Sequence, residues 1–454
     1  MKSLHRLICL VLFGVLMLMV ASGCNSNVDR PRITQEPVVD HTQPPLPEGY
    51  DTNSAEVKSQ EGNIKFLTSD AFSSSRAKGE VSEAFKAQYA EFAIRMLKEC
   101  AAGKTAMVSP LSILTALQMT ANGAQGETLD EMMKVLGGNI DRDTMNQQLF
   151  NYYESLRSSD DAKFHVANAV WFTDNSVFTI KKGFVDVVEN TFRAQLAKVP
   201  FADPATVDAI NKWCSDNTDE MIPKVLDYDA VGKETVMVLA NALCFDALWL
   251  RPYEDYQVSE QTFHGANGDS TVKMMKSKES CYIEGPNETG FVKRYCGGYS
   301  FVALLPDSGV SIDDYLASLS GGEFVKLMNS LSYDYDVNAG LPEFTFDWDD
   351  SLVDVLKKMG MNAAFDGGKA DFSALGEFSG NGRLYISNVI HKTHIEVNQS
   401  GTKAAAVTAV VVDANGMPVE REQKTVILDR PFVYAIVDTE SMLPIFIGAV
   451  TDIG

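Results

Sequence analysis

Residues 401–412 read Gly-Thr-Lys-Ala-Ala-Ala-Val-Thr-Ala-Val-Val-Val. This run is small, β-branched and almost uncharged, the composition of a buried strand. Left exposed, the same run favours aggregation. Yet it leads into the turn signal Asp413-Ala-Asn-Gly416 and then into the polar stretch Met417 to Lys424. A strand sequence therefore opens a long loop. Either it is one arm of a hairpin, or it is a loop built to become a strand later.

Alternation favours the second reading. Strand side chains point to opposite faces in turn. One set is Thr402, Ala404, Ala406, Thr408, Val410 and Val412, all uncharged. The other is Lys403, Ala405, Val407, Ala409, Val411 and Asp413, with a charge at each end. Such a segment can enter a sheet with the first set covered and both charges outside. A slip of one residue would bury the charges, so the register is specified.

The chain has 454 residues, 45% of them hydrophobic, enough for a sizeable core. Its formal net charge of −22 disfavours nucleic acid and anionic membrane surfaces as partners. The N-terminus carries Lys2 and Arg6, then an apolar run from Leu7 to Val20 that is short for a membrane span. Ala21-Ser22-Gly23-Cys24 closes it. Residues 1–23 read as a secretory signal. The segment resembles a bacterial lipobox, which implies lipidation of Cys24 and a protein held at a bacterial membrane or cell surface. Residues 24–77 are rich in Pro, Asn, Ser, Gln and Thr and read as a disordered tether. A globular domain is expected over 78–454. Five cysteines remain beyond Cys24, with no CxxC pair. Cys281 and Cys296 flank a predicted hairpin and form the one pair worth testing as a disulfide.

In the globular part, Phe85, Tyr89, Phe92, Ala93, Met96 and Leu97 fall at helical spacing. Ser109-Pro110 starts a helix that is apolar almost all round and so is expected in the core. Thr235 to Leu250 reads as a long strand, and Leu384 to Val397 as another. Helices and strands interleave irregularly without repeats, the pattern of one α+β domain.

No catalytic constellation emerges. The chain has no GxSxG elbow, P-loop or HExxH motif. His391 and His394 lie three apart on a predicted strand and so face opposite ways, as a core histidine and a surface one rather than a metal pair. Asp347-Trp-Asp-Asp350 begins like a calcium loop but lacks the turn glycine and the final glutamate, so it reads as a solvated turn or helix start. Neither an enzyme, a metal site nor a cofactor is expected.

Several motifs occur in one order. They are Val108-Ser-Pro-Leu-Ser-Ile113, Gly123-Ala-Gln-Gly-Glu-Thr128, Asn168-Ala-Val-Trp171, Ile210-Asn-Lys-Trp213 and Asn241-Ala-Leu-Cys-Phe245 with Trp249. Then follow Met274-Met275, Leu304-Leu-Pro306, Leu341-Pro-Glu-Phe344, Ala370-Asp-Phe-Ser373, His391-Lys392, Gly401-Thr402 and Arg430-Pro-Phe432. Together they resemble the serpins over the whole globular length. The resemblance implies three β-sheets, about nine helices and an exposed reactive-centre loop. It implies inhibition of a serine protease, or a cysteine one, by suicide trapping, from a monomer. A non-inhibitory binding module on the same fold is the alternative.

Carried over by motif, Ser109, Ser112, Asn241 and His391 match the family's shutter, a buried polar cluster beneath the separating strands. Trp249 matches the breach, where insertion starts. Gly401, Thr402, Ala404, Ala405 and Ala406 match the hinge. Gln399 and Lys403 depart from the family's usual glutamates. Lys403 belongs to the outward set, so insertion is expected to survive. Counting seventeen residues from Gln399 places the reactive bond between Asn415 and Gly416, with Ala414 and Arg421 as nearby alternatives.

Overall fold

A computed structural model of the chain describes residues 12–22 (as backbone), 50–68, 78–218, 220, 223–380, 382–402 and 421–454. Among these are nine α-helices and three principal sheets, with a small two-stranded pair beside them.

Helix Glu83–Cys100 forms where the apolar spacing predicts it. Ser82 caps its start by accepting from the Phe85 amide, and Phe85, Tyr89, Phe92, Met96 and Leu97 are buried. Helix Pro110–Ala121 is buried at every residue. Its apolar circumference is explained by its place, packed against both the Thr235–Leu248 strand and the Pro444–Val450 strand.

The main sheet runs, in space, Phe344–Ser351, Leu384–Val397, Thr235–Leu248, Ala162–Thr173, Gln195–Val199, Ile64–Phe66 and Ser59–Glu61, with a further layer between the second and third. Ala162–Thr173 is antiparallel to Thr235–Leu248 and parallel to Gln195–Val199. Thirteen of the fourteen residues of Thr235–Leu248 are buried. Such continuous burial marks a strand covered on both faces. A six-stranded antiparallel sheet carries the C-terminal hairpin Phe432–Asp438 and Pro444–Val450 at its heart, and a four-stranded sheet includes Gly268–Glu279.

Between Leu384–Val397 and Thr235–Leu248 lie two collinear pieces. One is Gly401–Thr402, antiparallel to both neighbours. The other is Leu12–Ser22, the segment read as the core of an export signal, which is also antiparallel to both. An extended apolar segment satisfies the backbone N–H and C=O groups that two parted strands leave open. Apolar runs destined for a membrane-targeting leader and for a doubly covered strand share a composition, so the sequence does not separate them.

Four expectations need correction. The disordered tether over 24–77 does not extend through 50–67. Ser59–Glu61 and Ile64–Phe66 form a hairpin that adds to the sheet edge, Lys65 opposite Lys198, and Tyr50 donates through its hydroxyl to Ala374 O. Backbone pairing onto an open edge needs little apolar sequence, which is why composition missed it. Asp347 to Asp350 is not a turn but the body of edge strand Phe344–Ser351, with the aspartates exposed. His394 is not on the surface: it is 8% exposed and its Nδ1 lies 2.5 Å from Asp347 Oδ1 across the strand pair. All five described cysteines are free, so Cys281 and Cys296 are not bridged.

Candidate functional site

The cleft between Leu384–Val397 and Thr235–Leu248 gathers Ser109, Ser112, Asn241, Trp249, His391, Gly401 and Thr402 of the residues singled out in the sequence. Midway along it stands the polar cluster. Asn241 and His391 are fully buried on the two flanking strands. The Ser109 amide, at the start of helix Pro110–Ala121, donates to His391 Nε2 at 3.1 Å. Ser109 Oγ donates to Ile445 O at 3.0 Å and accepts from the Ser112 amide. Asn241 Nδ2 donates to Asn168 Oδ1 at 2.7 Å, and Asn168 Nδ2 to Phe192 O. Ser109 thus ties the helix start to Leu384–Val397 and Pro444–Val450, and the asparagine pair ties Thr235–Leu248 to Ala162–Thr173, through buried polar groups that are costly to leave unpaired. Ser109, Ser112, Asn241 and His391, the four residues matched to the shutter, are all buried at the same cleft.

At the upper end the chain reverses. Asn398 closes the turn: its Oδ1 accepts from the Ser400 amide and its own amide donates to Gly401 O. The Trp249 amide donates to Ser400 O, the Trp249 indole to Asn398 O, and the Tyr253 amide to Gln399 O, each at 2.9 Å. Trp249 is fully buried and stacks on Tyr295, with ring centroids 4.1 Å apart. Beyond the turn, Gly401 lies so close to the neighbouring backbone that a Cβ there would meet Ala247 O at 2.2 Å. Close approach, not an unusual dihedral, demands glycine. Thr402 follows, fully buried, its Oγ1 2.5 Å from Tyr295 OH. The uncharged set predicted to face inward thus begins inward.

The remaining hinge residues Ala404, Ala405 and Ala406, together with Ala414, Asn415 and Gly416 of the loop and Cys24, lie outside the described residues. Arg421 is exposed at the start of strand Glu422–Ile427. Sequence reading missed Tyr253 and Tyr295 as parts of this end. Tyr295 is the residue whose signal was available, as an aromatic closing a buried strand pair. Among the described residues no cluster of His, Cys, Asp and Glu is arranged to hold a metal.

A mixed α+β fold whose main sheet holds separate segments between two long strands, with buried polar groups beneath them, defines the class. The model of the family "Serpin (serine protease inhibitor)" matches residues 87–453, and the chain belongs to the serpin family. An uncharacterised serpin-like protein of Thermococcus kodakarensis is 28% identical over 445 residues, covering 96% of this chain and 97% of that protein. The thermophilic serpin tengpin in its native state matches with a TM-score of 0.75 and 39% identity, covering 83% of this chain and 96% of that one. Thyroxine-binding globulin in complex with thyroxine matches with a TM-score of 0.68 at 22% identity, over 81% of this chain and 98% of that one, a likeness of fold alone. Members of the family are typically serine protease inhibitors; others are binding proteins, and neither role is that of an enzyme.

Proposed function

We propose that this chain inhibits a protease by suicide trapping. The protease attacks the exposed loop near Asn415–Gly416, its nucleophile becomes acylated, and the cut loop enters the main sheet before water can free it. The strain released on insertion distorts the captured protease.

One observation carries the reading. The cleft accepts an antiparallel strand, and Gly401–Thr402 already runs into it in register. Thr402 stands opposite Ala247 and Val397. Six residues further on, the same register brings Thr408 opposite both Asn241 and His391. In the structure, Leu16 of the N-terminal strand holds that position, paired with both. Loop residues 404–412 would therefore take the places that 12–20 occupy, with Ala404, Ala406, Thr408, Val410 and Val412 covered and Lys403 and Asp413 outside.

In this reading residues 1–23 are removed on export, Cys24 is lipidated, and the cleft is vacated for the loop. The protein then stands at a bacterial membrane or cell surface, as a monomer held by its lipid. Mixing the form that begins at residue 24, with Cys24→Ser, with a panel of serine proteases tests the proposal: a complex that survives boiling in detergent is expected. Clean loop cleavage without any such complex across the panel would overturn it in favour of a non-inhibitory binding role.

A further inference from the structure

A lysine is buried beneath the upper end of the cleft. Lys293, on strand Glu288–Arg294 of the six-stranded sheet, is 2% exposed. Its Nζ donates to Glu279 Oε1 at 3.1 Å and to Arg251 O at 3.2 Å. It also lies 4.0 Å from the Tyr253 ring centroid and 5.3 Å from that of Trp249. Glu279 ends the Gly268–Glu279 strand of the four-stranded sheet, and Ser277 Oγ donates to the same Oε1 at 2.6 Å. Arg251 and Tyr253 belong to the segment leaving the main sheet.

One ammonium thus joins all three sheets at a single point. Taking such a charge out of water is costly, and one carboxylate pair seldom offsets that cost by enough to serve stability. The placement has a more specific consequence. Both rings over Lys293 belong to the residues that grip the turn. Trp249 bonds Asn398 and Ser400, and Tyr253 bonds Gln399. Those carbonyls form the bend around which the loop must fold back to enter the cleft antiparallel. A cation fixed between a carboxylate and a carbonyl holds both aromatic faces at set positions, and through them the bend. A bend held in its final shape spares the loop that ordering at the moment of entry.

We infer that Lys293, held by Glu279, is a positioning residue for the turn Asn398–Gly401 and sets how quickly the cut loop enters the sheet. The inference rests on the trapping reading. Lys293 touches neither loop nor protease, so protease attack on the loop is left as it was. What changes is the contest after attack, between insertion and hydrolysis.

Three variants of the purified form that begins at residue 24, with Cys24→Ser throughout, separate positioning from stability. Lys293→Met strands Glu279. Lys293→Met with Glu279→Gln removes both charges and keeps the fold, since neutral substitutes for a buried pair are commonly tolerated. Lys293→Arg keeps the cation. The double variant is expected to exchange the Trp249 and Tyr253 amides roughly tenfold faster or more, with strand Phe432–Asp438 unchanged. It should also consume about two or more times as many inhibitor molecules per trapped protease, at an unchanged rate of loop cleavage. Lys293→Arg should bring both quantities back toward the parent values. Unchanged exchange at these two amides in the double variant, or acceleration spread evenly over the sheets, would overturn the inference. Should the parent protein trap no protease, the trapping reading fails by itself, while the exchange measurement still decides whether Lys293 holds the turn.

Discussion

The six-stranded sheet and the main sheet share a core but are built on opposite plans. In the first, Phe432–Asp438 and Pro444–Val450 are sequence neighbours, joined by a short turn, and every residue of both is buried. In the second, the two strands that flank the cleft are separated by more than a hundred residues of chain, and what lies between them comes from elsewhere. Local pairing fixes a strand in one place. Distant pairing leaves a position for segments from elsewhere, and here Leu12–Ser22 and Gly401–Thr402 share it. The polar cluster of Ser109, Asn241 and His391 sits where such a position needs help, because a purely apolar seam would not favour one register over the next.

The contrast can be broken most sharply at Thr408. Thr408→Arg would place a charge opposite Asn241 and His391 on insertion, a burial cost the loop cannot meet. Complex formation should fall below detection on a detergent gel, while cleavage of the loop continues. Retained trapping would show that the cleft does not take the loop in this register. Next comes the occupant of the cleft. The full chain, with Leu12–Ser22 in place, should be cut by proteases without trapping them, and the form beginning at residue 24 with Cys24→Ser should trap. Equal trapping by both would mean that the N-terminal strand does not hold the cleft.

Phe446→Ala probes the fixed sheet instead. Phe446 is fully buried opposite Ile436, and truncation there costs about 3–5 kcal/mol. Uncut and loop-cut protein should lose stability alike in denaturant melts, because that sheet is the same in both. A loss confined to one form would break the contrast. Gly401→Ala acts on the exchangeable side. Its methyl would have to push Ala247 O away from 2.2 Å, a strain of about 1–3 kcal/mol. Slower insertion is expected, read as more inhibitor consumed per protease trapped, with loop cleavage unchanged.

The smallest effect is chemical. Burial pushes the Cys281 thiol up to about 11. The unfolded chain gives up that proton at lower pH, so this contribution to stability is complete below the ordinary thiol range and is lost as pH rises towards 11. Iodoacetamide at pH 8 should label Cys281 far more slowly in the folded protein than in urea. Equal rates would place the thiol at the surface.

Much of the site was legible because its demands are local and chemical. Small uncharged residues in alternation marked one face of the segment from Thr402 as the inward one, and Thr402 is covered as that pattern requires. A histidine on an apolar strand needs a buried partner, and Ser109 supplies it. The helix around Leu111 to Ala121 declared its burial by being apolar on all sides. Other features were hidden because they depend on what meets what. Nothing in Ser59 to Phe66 announces a strand, since an open edge supplies half the bonds. Helix Arg142–Ser155 is polar along most of its length and is signalled chiefly by its Asp141 cap. His394 is covered only because Asp347 reaches it from the next strand. Lys293 reads as a solvated charge until three sheets are seen to converge on it.

The margins of the main sheet answer to its centre, which is filled by separate segments. On one side the hairpin through Ser59 and Ile64 lies along Gln195–Val199, ending in a short polar strand. On the other, Phe344–Ser351 turns Asp347, Asp349 and Asp350 to the solvent. Both are ways of refusing a stranger's strand. A protein whose main sheet takes a separate strand at its centre must turn strands away at its margins, and these two polar edges are expected to stay unpaired in concentrated samples.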